Sequence, residues 1–228
     1  GRVMSVEQNL TEINTRISQA CELAGRNADE VELIAVSKTW PAEHVQKAID
    51  AGQKIFGENK LQEGQEKIPA LSEDLEWHYI GGLQRNKVRK VLGLFHVIHS
   101  IDSLKLAKYT NNVAADMELN PSVLLQVNIG DEASKGGFSV EELKGCFTDL
   151  LELKALKITG LMCIPPAVSA SEDARVWFRK VADLREQLEK AHHCKLPHLS
   201  MGMSGDFETA IAEGATYVRV GTSIFGAR

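Results

Sequence analysis

Eight short apolar runs separated by amphipathic helical segments, within 228 residues, predict an α/β protein: a single (β/α)8 TIM barrel with an extra helix ahead of the first strand. Alternation of strand and helix implies parallel strands, because a parallel pair needs a long crossover and a helix supplies it. Eight such units in a chain of this size suggest closure, and no polar linker or low-complexity stretch divides residues 1–228 into separate domains. A doubly wound open sheet is the alternative. It is weakened by the lack of a Gly-x-Gly-x-x-Gly after the first strand.

Ser5-Val6-Glu7-Gln8 has the form of a capping box, and Leu10, Ile13, Ile17, Cys21 and Ala24 recur at helical spacing up to Gly25, a fitting C′ residue. Val31 to Lys38 is the first strand, stopped by Pro41. A helix from Ala42 to Ala51 closes at Gly52, and Lys54 to Asn59 is the second strand. Glu76 to Gly81 is the third, followed by a basic helix from Gln84 to Lys90; His96 to Ile101 is the fourth, with a helix from Ser103 to about Met117. Val123 to Ile129 is the clearest strand and leads into a loop, Gly130 to Phe138, that holds Ser134-Lys135-Gly136-Gly137. Ser139 to Glu142 caps a helix reaching Leu151, Leu156 to Cys163 is the sixth strand, and Pro165-Pro166 ends it. Ser169 to Glu172 reads as the cap of a long helix with Trp177, Val181, Leu184 and Leu188 as its apolar stripe. Leu199 to Gly202, a short helix from Asp206 to Glu213, and Tyr217 to Gly221 complete the series.

An apolar fraction of 43% and a charged fraction of 25% are those of an ordinary globular protein. The net charge of −5, with acids and bases interspersed, gives no support to a nucleic-acid surface or a membrane-attracting face. No apolar run approaches the roughly 18 residues of a membrane span, and no signal-peptide pattern is present. Gly1-Arg2-Val3 ahead of Met4 reads as a vector-derived remnant. Cys21, Cys146, Cys163 and Cys194 are far apart, without a Cys-x-x-Cys pair, and read as reduced cytosolic thiols. His192-His193 and His198 are the closest histidine cluster; the first two fit a helix end, where positive charge suits the dipole, and no metal site is indicated.

Side chains alternate along a strand, so Lys38 shares a face with Glu32, Ile34 and Val36. If that face lines a closed barrel, the amine sits at the carboxyl-end rim, where burial favours its neutral form and prepares it to condense with an aldehyde. Taken alone, the stretch fits a solvated lysine better, and the stronger reading must come from the rest of the chain. Barrel enzymes often hold a phosphate after strands seven and eight. There the chain has Met203-Ser204-Gly205-Asp206, opening a helix with free amides, and Gly221-Thr222-Ser223, where glycine allows close approach and two hydroxyls can donate. Arg219 alternates with Val218 and Val220, so if the valines face the surrounding helices it points inward and needs an acceptor: Glu32, Glu58 or a ligand atom. These parts suit a ligand with an aldehyde, a phosphate and a ring nitrogen, as in pyridoxal 5′-phosphate (PLP), and equally a Schiff-base aldolase acting on a sugar phosphate.

The combination of Ala35-Val36-Ser37-Lys38-Thr39, Phe56-Gly57-Glu58-Asn59, Trp77-His78-Tyr79-Ile80-Gly81, Leu83-Gln84-Arg85-Asn86-Lys87, Gly160-Leu161-Met162, Leu199-Ser200-Met201-Gly202-Met203-Ser204 and Val218 to Gly226 resembles the pyridoxal phosphate homeostasis protein family over essentially the whole chain. The resemblance implies a fold-type III PLP barrel like the amino-terminal domain of alanine racemase, without that enzyme's carboxyl-terminal β domain. It implies PLP held as a Schiff base on Lys38, phosphate contacts from Ser204, Gly221, Thr222 and the Met203 backbone, and Arg219 at the pyridine nitrogen. Asn59 and His78 match motif positions near the pocket; Lys135 matches a frequent family lysine, and a part for it in handing the cofactor in or out is a hypothesis.

A cation beside the pyridine nitrogen disfavours ring protonation and makes the ring a poorer electron sink. The chain stops at Arg228, directly after the last barrel segment, so the second domain that closes a racemase site and supplies its opposing base is not expected. The resulting expectation is a cytoplasmic, monomeric regulator or carrier in PLP and vitamin B6 homeostasis, serving PLP-dependent client enzymes and touching amino-acid and keto-acid metabolism indirectly, without efficient catalysis. The rivals are an amino-acid racemase using Tyr79 or Cys163 as second base, a cofactor-free Schiff-base aldolase, and a purely structural barrel. The basic helix around Arg85, Lys87, Arg89 and Lys90 would suit an acidic partner but is equally a solvated face.

Overall fold

A helix, α1 (Val6–Leu23), leads into eight βα units in a computed structural model that describes residues 4–227; the reading of Gly1-Arg2-Val3 falls outside them. The units are β1 (Glu32–Val36), α2 (Ala42–Asp50), β2 (Ile55–Glu58), α3 (Leu61–Lys67), β3 (Glu76–Tyr79), α4 (Val88–Leu94), β4 (Val97–Ile101), α5 (Leu104–Asp116), β5 (Ser122–Gln126), α6 (Val140–Leu151), β6 (Lys157–Met162), α7 (Arg175–His192), β7 (His198–Ser200), α8 (Phe207–Ala212), β8 (Tyr217–Val220) and α9 (Thr222–Phe225). Each strand pairs in parallel with the next, and β8 returns to β1 with Ile34 opposite Arg219, closing a single (β/α)8 barrel.

Local chemistry explains the helix ends. Ser5 Oγ accepts from the Gln8 amide at 3.1 Å while Gln8 accepts from the Ser5 amide at 2.9 Å, completing the expected capping box. Gly25, at φ 69°, lets the Arg26 amide reach the Cys21 carbonyl and its own amide reach Glu22, a Schellman ending. The buried stripe Val6, Leu10, Ile13, Ile17 and Cys21 lies against α8 and α9, and Asn9 donates to the Ile224 carbonyl at 2.8 Å. The extra helix therefore buttresses the two units whose loops approach Lys38.

Four helices depart from expectation: α9 was not expected, the expected basic helix from Gln84 to Lys90 is a 3-10 turn, Arg85–Lys87, followed by α4 from Val88, and α3 and α7 differ as well. α3 carries no sequence signal, because Leu61-Gln-Glu-Gly-Gln-Glu-Lys67 has no apolar stripe; packing creates it, with Gly64 so near the Phe95 ring that a Cβ there would meet it at 2.6 Å. At α7 the expected Ser169 to Glu172 cap is not made: a 3-10 turn, Ser171–Ala174, precedes the helix with no side-chain cap bond. Phe178, not Trp177, then joins Val181, Leu184 and Leu188 in the core. Both aromatics fit the spacing to Val181; Phe has no polar atom to satisfy, whereas Trp177 stays half-buried with the Lys180 ammonium 4.8 Å from its ring centre.

The core has two parts. One fills the space between strands and helices; the other is the barrel lumen, where inward Ile34, Val97, Leu124, Met162 and Tyr217 pack together. Alongside this apolar plug the lumen also holds buried polar side chains, His78, His99, Ser200 and Arg219. Gly160 lies where β6 meets β7 most closely: a Cβ there would sit 1.9 Å from the His198 carbonyl oxygen. Gly160→Ala is expected to cost about 1–3 kcal/mol as the strands are forced apart, while Gly145→Ala, on the exposed face of α6 with open space around it, is expected to gain roughly 0.5–1 kcal/mol. Urea unfolding of the two variants checks the pair; a neutral Gly160→Ala would show that the β6–β7 joint yields easily.

Candidate functional site

The inward alternation of β1 carries from Ile34 through Val36 to Lys38, two residues past the strand end. Lys38 faces a cavity of about 240 Å³ at the carboxyl ends of the strands. Val36, Ile80 and Ile164 give it apolar walls; Lys38, Asn59, Arg219 and the turns 203–205 and 221–222 give it polar ones. The cavity thus brings together Lys38, Asn59, Met203, Ser204, Arg219, Gly221 and Thr222. His78 stands apart from it.

The turn bearing Lys38 is clamped from beneath by a buried ion cluster. Lys67 Nζ, from α3, donates to the Ser37 carbonyl at 2.7 Å, to both Glu58 carboxylate oxygens at 3.2 and 3.0 Å, and to Glu63 at 3.1 Å. Ser37 Oγ donates to Glu58, and the Thr39 amide donates to Glu63. Both neighbours of Lys38 are therefore tied to one network, which holds Thr39 in the left-handed region at φ 70°, an unfavourable place for a β-branched residue. Burial pushes the Glu58 carboxyl up, against the opposing hydrogen bond from Ser37 and the charge of Lys67. Sequence reasoning missed Lys67 and Glu63 because α3 itself showed no pattern.

Two turns offer donors to an anion. Gly202, at φ 100°, packs so tightly on Ala210 that a Cβ would meet it at 2.7 Å, and this brings the 203–206 turn over the cavity. Within that turn the Met203 amide donates to Asp206 Oδ1 at 2.8 Å, so the donor expected there is already engaged; the next amides, Ser204 and Gly205, have no partner among the described residues. Gly221, with room for a Cβ only 3.1 Å from the Val36 carbonyl, starts α9, whose first amides lack intrahelical acceptors. Across the cavity Asn59 Oδ1 is buried with no hydrogen-bond partner.

Arg219 is 4% exposed and points inward. Neither Glu32 nor Glu58 meets it: its Nη1 donates to Ser200 Oγ and its Nη2 to the Cys163 carbonyl at 3.0 Å. Glu58 instead lies on the outer face of β2, turned toward α3. From Ser200 the bonds continue through His99 Nδ1 at 2.8 Å, from His99 Nε2 to His78 Nδ1 at 2.8 Å, and from His78 Nε2 to Glu76 Oε2 at 2.8 Å. His78 thus belongs to the barrel lumen, not to the cavity wall. Burial holds His99 well below the ordinary histidine range, and the Arg219 guanidinium acts in the same direction.

The two side chains considered as a second base are poorly placed. Tyr79 is buried outside the cavity, its hydroxyl donating to the Gly82 carbonyl at 3.2 Å, and burial raises its pKa. Cys163 is fully buried, its thiol pushed up to about 12 by desolvation. Lys135 is partly exposed, paired with Glu132 at 3.0 Å and reaching the Pro165 carbonyl at 3.4 Å, next to the cavity residue Ile164.

The sequence family described as "Alanine racemase, N-terminal domain" matches residues 8–228. The pyridoxal phosphate homeostasis protein of Aquifex aeolicus is 46% identical over 226 residues, 99% of each chain. This chain belongs to the pyridoxal phosphate homeostasis protein family. The Escherichia coli member is 44% identical over 98% of this chain and 97% of its own. Among solved structures, PipY of Synechococcus elongatus with PLP bound superposes with a TM-score of 0.82 at 36% identity, covering 92% of this chain and all of that one. An alanine racemase of Clostridium difficile, 16% identical with a TM-score of 0.72, shares the fold, and this chain spans 57% of it.

Two expectations arise from the buried groups around this homeostasis-family site. Lys67→Met leaves Glu58 buried without its main cation and is expected to cost about 3–5 kcal/mol, while Glu58→Leu with Lys67→Met recovers part of that loss; strictly additive losses in urea unfolding would show that the two do not act as a pair. His99 stays neutral in the fold while an unfolded histidine takes up a proton near about pH 6.5, so the unfolded chain binds more protons and stability declines as pH falls through that value. The stability difference between wild type and His99→Gln should shrink by up to about 1.4 kcal/mol per pH unit below there, measured by unfolding between pH 7.5 and 5.5.

Proposed function

We propose that Lys38 Nζ is the amine that binds the aldehyde carbon of PLP, with Ser204, Gly221, Thr222 and the free amides of the two turns receiving its phosphate and Arg219 facing its pyridine nitrogen. The protein serves PLP homeostasis, holding and releasing the cofactor. The observation that carries the site assignment is the convergence, on one cavity, of an inward lysine, a buried guanidinium and two turns with unengaged amides. The buried, unpartnered Asn59 Oδ1 at the same cavity is an acceptor in want of a donor, which a ligand hydroxyl would supply.

When bound, the cofactor supplies an aldehyde and an electron-withdrawing ring. The chain's own residues limit the chemistry open to it. The guanidinium of Arg219 can donate a hydrogen bond to a ring nitrogen but cannot yield it a proton, because the group stays charged in proteins, and that charge disfavours a proton on the nitrogen itself. Tyr79 and Cys163 are removed from the cavity or held protonated, so a base opposite Lys38 is lacking among the residues considered for it. We therefore read the protein as a carrier or regulator without efficient amino-acid chemistry, acting as a monomer in the cytoplasm and delivering to PLP-dependent client enzymes, with Lys135 near the mouth assisting transfer. Among the described residues no helix is long and apolar enough to cross a membrane.

The test is an absorption spectrum of the purified protein with added PLP, wild type beside Lys38→Ala, followed by borohydride reduction and peptide mapping. The expected result is a visible band lost in the variant and a reduced adduct on Lys38, with no exchange of the α-proton of added amino acids at useful turnover. Failure to take up PLP would return the sugar-phosphate aldolase; efficient α-proton exchange would make the protein a racemase.

A further inference from the structure

We infer that Ser200, His99, His78 and Glu76 form a one-way hydrogen-bond relay that positions Arg219 and compensates its charge from the opposite rim of the barrel. The inference rests on the reading of the cavity as a PLP site only in what Arg219 is positioned for.

The direction of the chain of bonds is set by its ends. A guanidinium only donates and a carboxylate only accepts, so Arg219 must give a hydrogen to Ser200 Oγ and Glu76 must receive one from His78 Nε2. The Ser200 hydroxyl hydrogen has one acceptor within reach among the described residues, His99 Nδ1. With that nitrogen bare, a neutral His99 carries its proton on Nε2 and donates to His78 Nδ1, which leaves His78 its proton on Nε2 for Glu76. Ser200, His99 and His78 each donate once and accept once, and each dipole turns its negative end toward Arg219.

The physical need is plain. Arg219 is almost wholly buried, and no carboxylate lies within ion-pair distance of it among the described residues. A buried cation without a counter-ion is costly unless fixed dipoles replace the water it has lost. Ser200 and the Cys163 carbonyl do so directly, and the relay extends the compensation to Glu76, whose side chain is 45% exposed at the amino-end rim. Tyr217 walls both imidazoles, at 5.2 and 5.4 Å between ring centres, and its own hydroxyl is engaged with His198 Nε2 at 3.3 Å, so it does not break into the relay. Three N–H groups of Arg219 are left over, and the residue lines the cavity with its orientation set by the two that are bound.

Ser200, His99, His78 and Glu76 are therefore positioning residues. The experiment has two arms. In the protein without added PLP, imidazole NMR should show both His78 and His99 as neutral Nε2–H tautomers at pH 7, and His99→Leu should move the Arg219 side-chain nitrogen resonances while Glu76→Gln, a rim change compatible with folding, moves them less. With PLP, His99→Leu should weaken binding by roughly tenfold, the scale of one hydrogen bond serving a charged group, and shift the absorption maximum of the bound cofactor. His99→Gln, whose amide can accept from Ser200 and donate to His78, should restore both. An Nδ1–H tautomer or a charged ring at His99, or variants with wild-type resonances, affinity and spectrum, would overturn the relay. Correct tautomers in a wild-type protein that takes up no PLP would uphold the relay and remove the cofactor reading instead.

Discussion

A guanidinium buried without a carboxylate in contact is the constraint around which the interior is arranged. The lumen of a barrel this size is ordinarily packed with branched apolar side chains, and here Ile34, Val97, Leu124, Met162 and Tyr217 do fill part of it. The rest is given over to Ser200, His99 and His78, side chains that serve a buried cation better than hydrocarbon would. The outcome is a positively charged floor to a cavity whose rim carries an amine and two turns of unengaged amides. Such a cavity favours a ligand rich in negative charge.

Lys67 presents the same problem with the opposite solution. It lies outside the barrel wall against Glu58 and Glu63, paired directly with carboxylates, and uses its remaining hydrogen to hold the Ser37 carbonyl. A directly neutralised cation stiffens the turn of Lys38 without adding net charge to the cavity. An indirectly compensated one, Arg219, leaves its charge to be felt there. The division suits the proposed site, in which a lysine is held in place and a cation faces a ring nitrogen.

Proteins named for PLP homeostasis match the chain end to end, whereas the racemase likeness extends to the barrel architecture at 16% identity. What a racemase needs beyond a barrel, a base facing the lysine from the other side, has no counterpart in Tyr79 or Cys163.

By itself the sequence determined the strand order and the helices other than α3 and α9, the ends set by local chemistry at Ser5, Gly25 and Ser103, and the inward phase of Lys38 and Arg219, since alternation along a strand is a property of neighbours in the chain. The glycine-bearing turns at 203–205 and 221–222 were legible for the same reason. Tertiary structure alone decided who meets Arg219, that the Met203 amide is already taken by Asp206, that His78 turns into a lumen network, that α3 exists, and that Phe178 displaces Trp177 from the core. Those outcomes depend on register between strands far apart in sequence and on competition for one buried volume. No short window of residues contains that information.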